Sequence, residues 1–159
     1  MKEGVGSPFF DSLESRISHM IFSIPSVKGL EFGSGFESTM LKGSQNNDEF
    51  EIVNDKIRTK TNNDGGINGG ISNGMPIVMK VAIKPTPSIA REQNTVNIRT
   101  MKDAKLEIKG RHDPAIILRI PPVLESAVAI TILDVILEEK PQLIEDIIPL
   151  KTDVKVKNV

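Results

Sequence analysis

The chain has 159 residues, the length of one domain or part of one. Hydrophobic residues are 38% and charged residues 26%, which excludes the disordered class, and a net charge of −1 supplies no global positive field for nucleic acid. Cysteine is absent, so disulfides, Cys–zinc sites, iron–sulfur clusters and thiol nucleophiles are excluded, and two histidines, His19 and His112, cannot build a three-histidine metal site.

Residues 7 to 21 read as an amphipathic helix, with Ser7 as N-cap and Pro8 in the first helical position. Phe9, Leu13, Ile17 and Ile21 recur every fourth residue and form one apolar stripe. His19 lies off that stripe and reads as a surface or rim residue. Glu3, Asp11 and Glu14 interrupt the first twenty-five residues, so no secretory signal is expected there.

Ile24-Pro25-Ser26 is extended or turning, because Pro restricts its predecessor. A strand is expected over Val27 to Phe32, then a turn at Gly33-Ser34-Gly35. Short strands are expected near Ser38 to Leu41, Phe50 to Val53 and Lys56 to Lys60, with a polar turn region from Gly43 to Glu49.

Thr61 to Gly74 holds five Gly and four Asn in fourteen residues. Its composition suits a flexible surface loop. Ile67 and Ile71 are out of keeping with a linker, and the alternative is a backbone that approaches a ligand closely or takes positive φ repeatedly.

Pro76 to Ile83 reads as a buried strand, ending at Lys84-Pro85-Thr86-Pro87-Ser88. The two prolines stiffen that exit. Thr95 to Ile98 and Ala104 to Ile108 are further strands, with a turn at Lys102-Asp103. Gly110 to Pro114 is a turn before the apolar run Ala115 to Ile120. A last helix opens at Pro121 or Pro122 and continues to about Glu139. It is apolar almost all round, the pattern of a helix enclosed between layers. Ala127 to Leu137 is interrupted by Thr131 and Asp134 and is too short to span a bilayer. From about 141 onward the tail has no clear period. The expectation is a soluble, cytoplasmic protein of mixed helix and strand, with no nucleic-acid or membrane partner.

Three constellations have chemical potential. Arg111-His112-Asp113 places a guanidinium, an imidazole and a carboxylate in one turn. Arg suits phosphate, and Asp or His can move protons; a structural ion pair closing the turn is the equal alternative. Gly65-Gly66 and Gly69-Gly70 match neither a P-loop nor a dinucleotide fingerprint, yet their amides can cradle a phosphate or a planar ring. Lys84 and its hydroxyl-bearing neighbours suit an anion, or are an ordinary strand exit.

The runs ISNGMPIV, IKPTPSI and GRHDPAIILRIPPVLESA closely resemble the carboxyl-terminal part of chorismate synthases. GVGSPFFDSLESRISHMIFSIPSVKGLEFGSGF and LKGSQNNDEF resemble the same family in the same order. The resemblance covers nearly the whole chain and is weakly diagnostic only at 91–105 and in the last dozen residues. It implies a flavin-dependent lyase. Such an enzyme removes phosphate from 5-enolpyruvylshikimate 3-phosphate by 1,4-anti elimination, giving chorismate, with reduced FMN maintained by NADPH or another reductant. It implies an α+β sandwich with helices packed between antiparallel sheets, assembled as a homotetramer.

Carried over residue by residue, the resemblance assigns flavin contacts to Pro25, Ser26, Gly69, Lys84, Pro85, Thr86, Pro87, Ser88 and Arg111. Asp113 resembles the family carboxylate beside flavin N5, which assists proton removal. Ser26, Asn68 and Ala115 depart from the common Ala, Leu and Cys. The family's larger upstream part, with its catalytic histidines and most substrate-phosphate arginines, has no counterpart here, and neither His19 nor His112 replaces those histidines. A chain acting only as a flavin-binding or complementing partner of that upstream part is the alternative.

Overall fold

The computed structural model describes residues 1–113 and 115–139. The tail expected from 141 onward lies outside the described residues. Ten residues, Leu13–Phe22, form helix α1. Its cap is Ser12, whose hydroxyl accepts from the Ser15 amide at 3.1 Å, rather than Ser7. Phe9 has φ +74 and Phe9–Asp11 make a 3-10 turn, so a continuous helix from Pro8 is ruled out. Leu13, Ile17 and Ile21 are completely buried, whereas Phe9 stands outside their stripe and is exposed.

Strand β1, Val27–Phe32, pairs antiparallel with β6, Met79–Ile83, in the register Leu30↔Val81 and Phe32↔Met79. β6 is half-buried and alternating rather than fully buried, because β1 is its one strand partner among the described residues. Gly35–Met40 form a 3-10 helix where a strand was expected over Ser38 to Leu41. Ser38 Oγ donates to the Gly35 carbonyl at 2.7 Å and Thr39 Oγ1 to the Phe36 carbonyl at 2.8 Å. Glu31 accepts from the Phe36 amide at 3.0 Å. Such local bonds compete with an extended ladder.

A short helix α2, Gly43–Asn46, leads to the hairpin β2, Phe50–Val53, and β3, Lys56–Thr59. Asn54 and Asp55 turn it with φ of +51 and +60, the two-residue geometry whose twist suits a hairpin. The two-residue strands β4, Ile67–Asn68, and β5, Ile71–Ser72, pair antiparallel inside the glycine–asparagine segment. β7, Gln93–Asn97, pairs with β8, Lys102–Leu106. Their turn falls before Lys102-Asp103, because Asn97 Oδ1 accepts from the amides of Arg99 and Thr100 at 3.0 and 3.1 Å. Lys102 and Asp103 are thereby strand residues.

Helix α3, Pro121–Glu139, packs on α1. Val5, Leu13, Ile17, Ile21, Val27, Ile67, Ala127 and Val135 form one core. Enclosure of α3 on all sides is not realised among the described residues: Val123 is 50% and Ile130 59% exposed. The architecture is α+β, with helices and solely antiparallel strands among the described residues.

Candidate functional site

α1 ends at Phe22, and the chain reverses through Pro25-Ser26 into β1. Ser26 has φ +75, a left-handed conformation that L-residues adopt at an expense. Its carbonyl accepts from the Lys84 amide at 2.7 Å, at the end of the β1–β6 ladder where Val27 faces Ile83. Strand pairing therefore joins two segments that the sequence separates by almost sixty residues.

The loop leaving β6 carries Lys84 to Ser88. Pro85 and Pro87 hold it stiff. Thr86 Oγ1 is buried with no hydrogen-bond partner among the described residues. Ser88 Oγ lies 2.7 Å from His112 Nδ1, so this loop meets the segment that leaves β8. His112 Nε2 donates to the Ile108 carbonyl at 2.8 Å. Lys84 and Arg111 are exposed, and neither makes an ion pair among the described residues.

Asp113 is ion-paired with Arg119, which stands just before α3. The pair closing this turn thus reaches beyond the Arg111-His112-Asp113 triplet. Arg119 escaped the sequence reading. Its signal was a lone charge within the apolar run Ala115 to Ile120.

The glycine–asparagine segment is packed rather than a loose surface loop. Gly65, Gly66, Ile67 and Gly70 are buried. A Cβ on Gly65 would lie 2.5 Å from the Gly33 amide nitrogen, and one on Gly66 2.4 Å from the Pro76 carbonyl oxygen. These glycines admit the protein's own backbone. Gly69 is different: nothing lies within 4 Å of its Cβ position. It borders a hollow of about 360 Å³ that includes Glu14, Ser34, Asn63 and Asp64.

Ser26 and Lys84 are joined, and Ser88 is joined to the Arg111–Asp113 segment. No hydrogen bond joins Gly69 to either pair among the described residues. The Leu13 amide, at the start of α1, donates to the Gly70 carbonyl at 3.0 Å, whereas Ser26 follows the helix's other end. A ten-residue helix places those ends about 15 Å apart.

A larger hollow of about 910 Å³ lies between α1 and α3 and contains none of the residues assigned to flavin or to catalysis from the resemblance. Arg16 crosses it, donating to Asp134 at 2.6 Å and pairing with Glu138. The hydrogen bond from Arg16 holds the Glu138 carboxyl below its ordinary range. His19 is exposed on the rim, as expected from sequence. Among the described residues there is no acidic or histidine cluster able to hold a metal, and no helix is long and apolar enough to cross a membrane.

The profile of the chorismate synthase family matches residues 1–137. The chain belongs to the chorismate synthase family. It is 53% identical over 137 residues to a chorismate synthase of Methanococcus vannielii, covering 86% of this chain and 36% of that protein. It is 53% identical over 134 residues to one from Dehalococcoides mccartyi and 50% identical over 136 to one from Methanocaldococcus jannaschii; the matches cover 84% and 85% of this chain. A crystal structure of chorismate synthase superposes with a TM-score of 0.67 at 31% identity, covering 87% of this chain and 34% of that one. That likeness agrees with the expected α+β class. The chain spans about a third of the length of the relatives it matches. All of the residues assigned from the resemblance fall inside the matched range.

Proposed function

We propose that this chain serves the chorismate synthase reaction by supplying the wall that holds reduced FMN and the substrate's phosphate. The reaction is the 1,4-anti elimination of phosphate from 5-enolpyruvylshikimate 3-phosphate. The C–O bond to phosphate breaks, a ring proton leaves, and chorismate gains a double bond. The observation that carries this reading is the convergence of the Lys84–Ser88 loop and the Arg111–Asp113 segment at the Ser88–His112 contact, within a family match from 1 to 137.

The residues fit a flavin phosphate or ring edge. Thr86 Oγ1 is a buried polar atom awaiting a partner, and Lys84 and Arg111 present two exposed cations. Lys84 is a point charge and Arg111 a planar fork, so both suit phosphate oxygens. Ser26 and the two prolines preorganise the backbone around them. Asp113 is the proton acceptor. Arg119 engages its Oδ2, leaving Oδ1 to take the proton. Bound reduced FMN supplies the electron density that assists phosphate departure, with NADPH or another reductant keeping it reduced. Gly69 contributes, in this reading, an open backbone position. The acidic lining beside it disfavours phosphate, so the anionic groups belong at Lys84 and Arg111.

The setting proposed is cytoplasmic, with a homotetramer as the assembly. A second reading is that the chain acts only together with a polypeptide carrying the remaining portion of the family fold. The uncovered side of α3, with Val123, Ile130 and Leu133 exposed, favours it. The experiment is an anaerobic assay of chorismate absorbance with reduced FMN, run with the chain alone and after mixing with that remaining portion. Turnover only in the mixture supports the second reading, and turnover by the chain alone overturns it. No turnover in either arrangement counts against the proposed function itself.

A further inference from the structure

His112 sits between the two residues assigned to chemistry, Arg111 and Asp113, and its ring is engaged at both nitrogens. The Ile108 carbonyl oxygen, 2.8 Å from Nε2, can only accept, so Nε2 carries a hydrogen. In a neutral ring Nδ1 is then an acceptor, and Ser88 Oγ, 2.7 Å away, is its donor. Ile108 lies on the same segment as His112, four residues earlier. Ser88 lies on the loop leaving β6, twenty-four residues earlier. Among the described residues this is the only hydrogen bond between residues 84–90 and 107–113.

We propose that His112 is a positioning residue. Through the Nε2–H tautomer it pins Ser88 and fixes the Lys84–Ser88 loop against the Arg111–Asp113 segment. Lys84 and Arg111 then belong to one anion-binding wall instead of two independently moving loops. The clamp itself stands on geometry; only its service to flavin binding rests on the function proposed above. A protonated ring keeps the arrangement, since the Ser88 hydroxyl rotates and accepts instead.

The test uses the full chain. Imidazole ¹⁵N spectra, with His112 assigned by comparison with His19→Gln, read the tautomer directly. The clamp predicts hydrogen on Nε2, and hydrogen on Nδ1 alone overturns it. Amide exchange is then compared for wild type, Ser88→Ala, Ser88→Thr and His112→Phe. Loss of one hydrogen bond should speed exchange about fivefold in 84–90 and 107–113 together, in both Ser88→Ala and His112→Phe. Ser88→Thr keeps a hydroxyl and should restore protection. Faster exchange confined to whichever segment bears the substitution overturns the clamp. Coupled exchange in a chain that binds no reduced FMN upholds the clamp and counts against the proposed function instead.

Discussion

Gly70→Ala and Gly69→Ala are adjacent substitutions with sharply different expected outcomes. Gly70 has φ +90, and a Cβ there would lie 2.4 Å from the Ser7 carbonyl oxygen and 2.8 Å from Ser12 Cβ. The left-handed backbone costs an Ala about 1–2 kcal/mol. The clash must push the β4–β5 hairpin off the start of α1, which loses the Gly70 carbonyl bond to the Leu13 amide, about 1 kcal/mol more. The total is about 2–3 kcal/mol, a large fraction of the ~5–15 kcal/mol that holds a domain folded. Gly69 has φ +58 and open space around its Cβ, so its alanine variant loses only the backbone part, about 1–2 kcal/mol. Thermal unfolding followed by circular dichroism reads both. At about 2–4 °C per kcal/mol, Gly70→Ala should fall by roughly 4–12 °C and Gly69→Ala by about 2–4 °C less. Equal losses, or a larger loss at Gly69, would refute the view that the buried glycines serve backbone packing while Gly69 faces open space.

Ile17→Ala empties a fully buried position at the centre of the α1 stripe and should lose about 3 kcal/mol in urea denaturation. A loss below about 1 kcal/mol would mean that α1 does not centre the core. Asp48 is pushed up by burial, but bonds from Thr61 Oγ1 at 2.6 Å and the amides of Asn63 and Asp64 at 2.9 and 3.0 Å outweigh that and hold its carboxyl below the ordinary value. A depressed folded-state value means that its stabilisation is full above about pH 4 and is lost as pH falls through the lowered value. Wild type should therefore exceed Asp48→Asn in stability at pH 7, with the gap closing below about pH 4. A gap that persists or widens in acid contradicts the assignment. Arg119→Gln removes a largely exposed ion pair, so the melting temperature should change little. Turnover in the reconstituted assay should fall about tenfold or more, because Asp113 loses its orientation. Unchanged turnover would remove Arg119 from the positioning of Asp113.

Much of the fold was legible because its elements carry strong local patterns. α3 follows the Pro121-Pro122 start and continuous apolar content, and its expected limits agree with Pro121–Glu139. β1 is bounded by Pro25 and Gly33, so its limits at Val27 and Phe32 were readable. Departures arise where a side chain overrides the average pattern. Ser38 and Thr39 bond back to the preceding turn and make a 3-10 helix from residues that suit a strand. Asn97 captures two amides and draws the β7–β8 turn toward itself. Ser12, not Ser7, caps α1, because the chain before it lies along the glycine segment.

The candidate site was legible only in part, since its contacts join residues far apart in sequence. Lys84 meets Ser26 through strand pairing, and Ser88 meets His112 across twenty-four residues. No local spacing encodes either contact. Arg119 pairs with Asp113 from the far side of the Ile116–Leu118 turn. Gly69 was grouped with these residues by resemblance, and its neighbour Gly70 bonds to the start of α1, whereas Ser26 follows that helix's end.

The central claim is that Lys84 and Arg111 form one wall for reduced FMN. It is tested most directly by anaerobic titration of reduced FMN into the full chain and into Lys84→Ala, Arg111→Ala and the double variant. The account predicts saturable binding by the wild type, weaker binding by each single variant, and a loss in the double variant that departs from the product of the two. No saturable binding by the folded wild-type chain, or affinities untouched by all three variants, would contradict it.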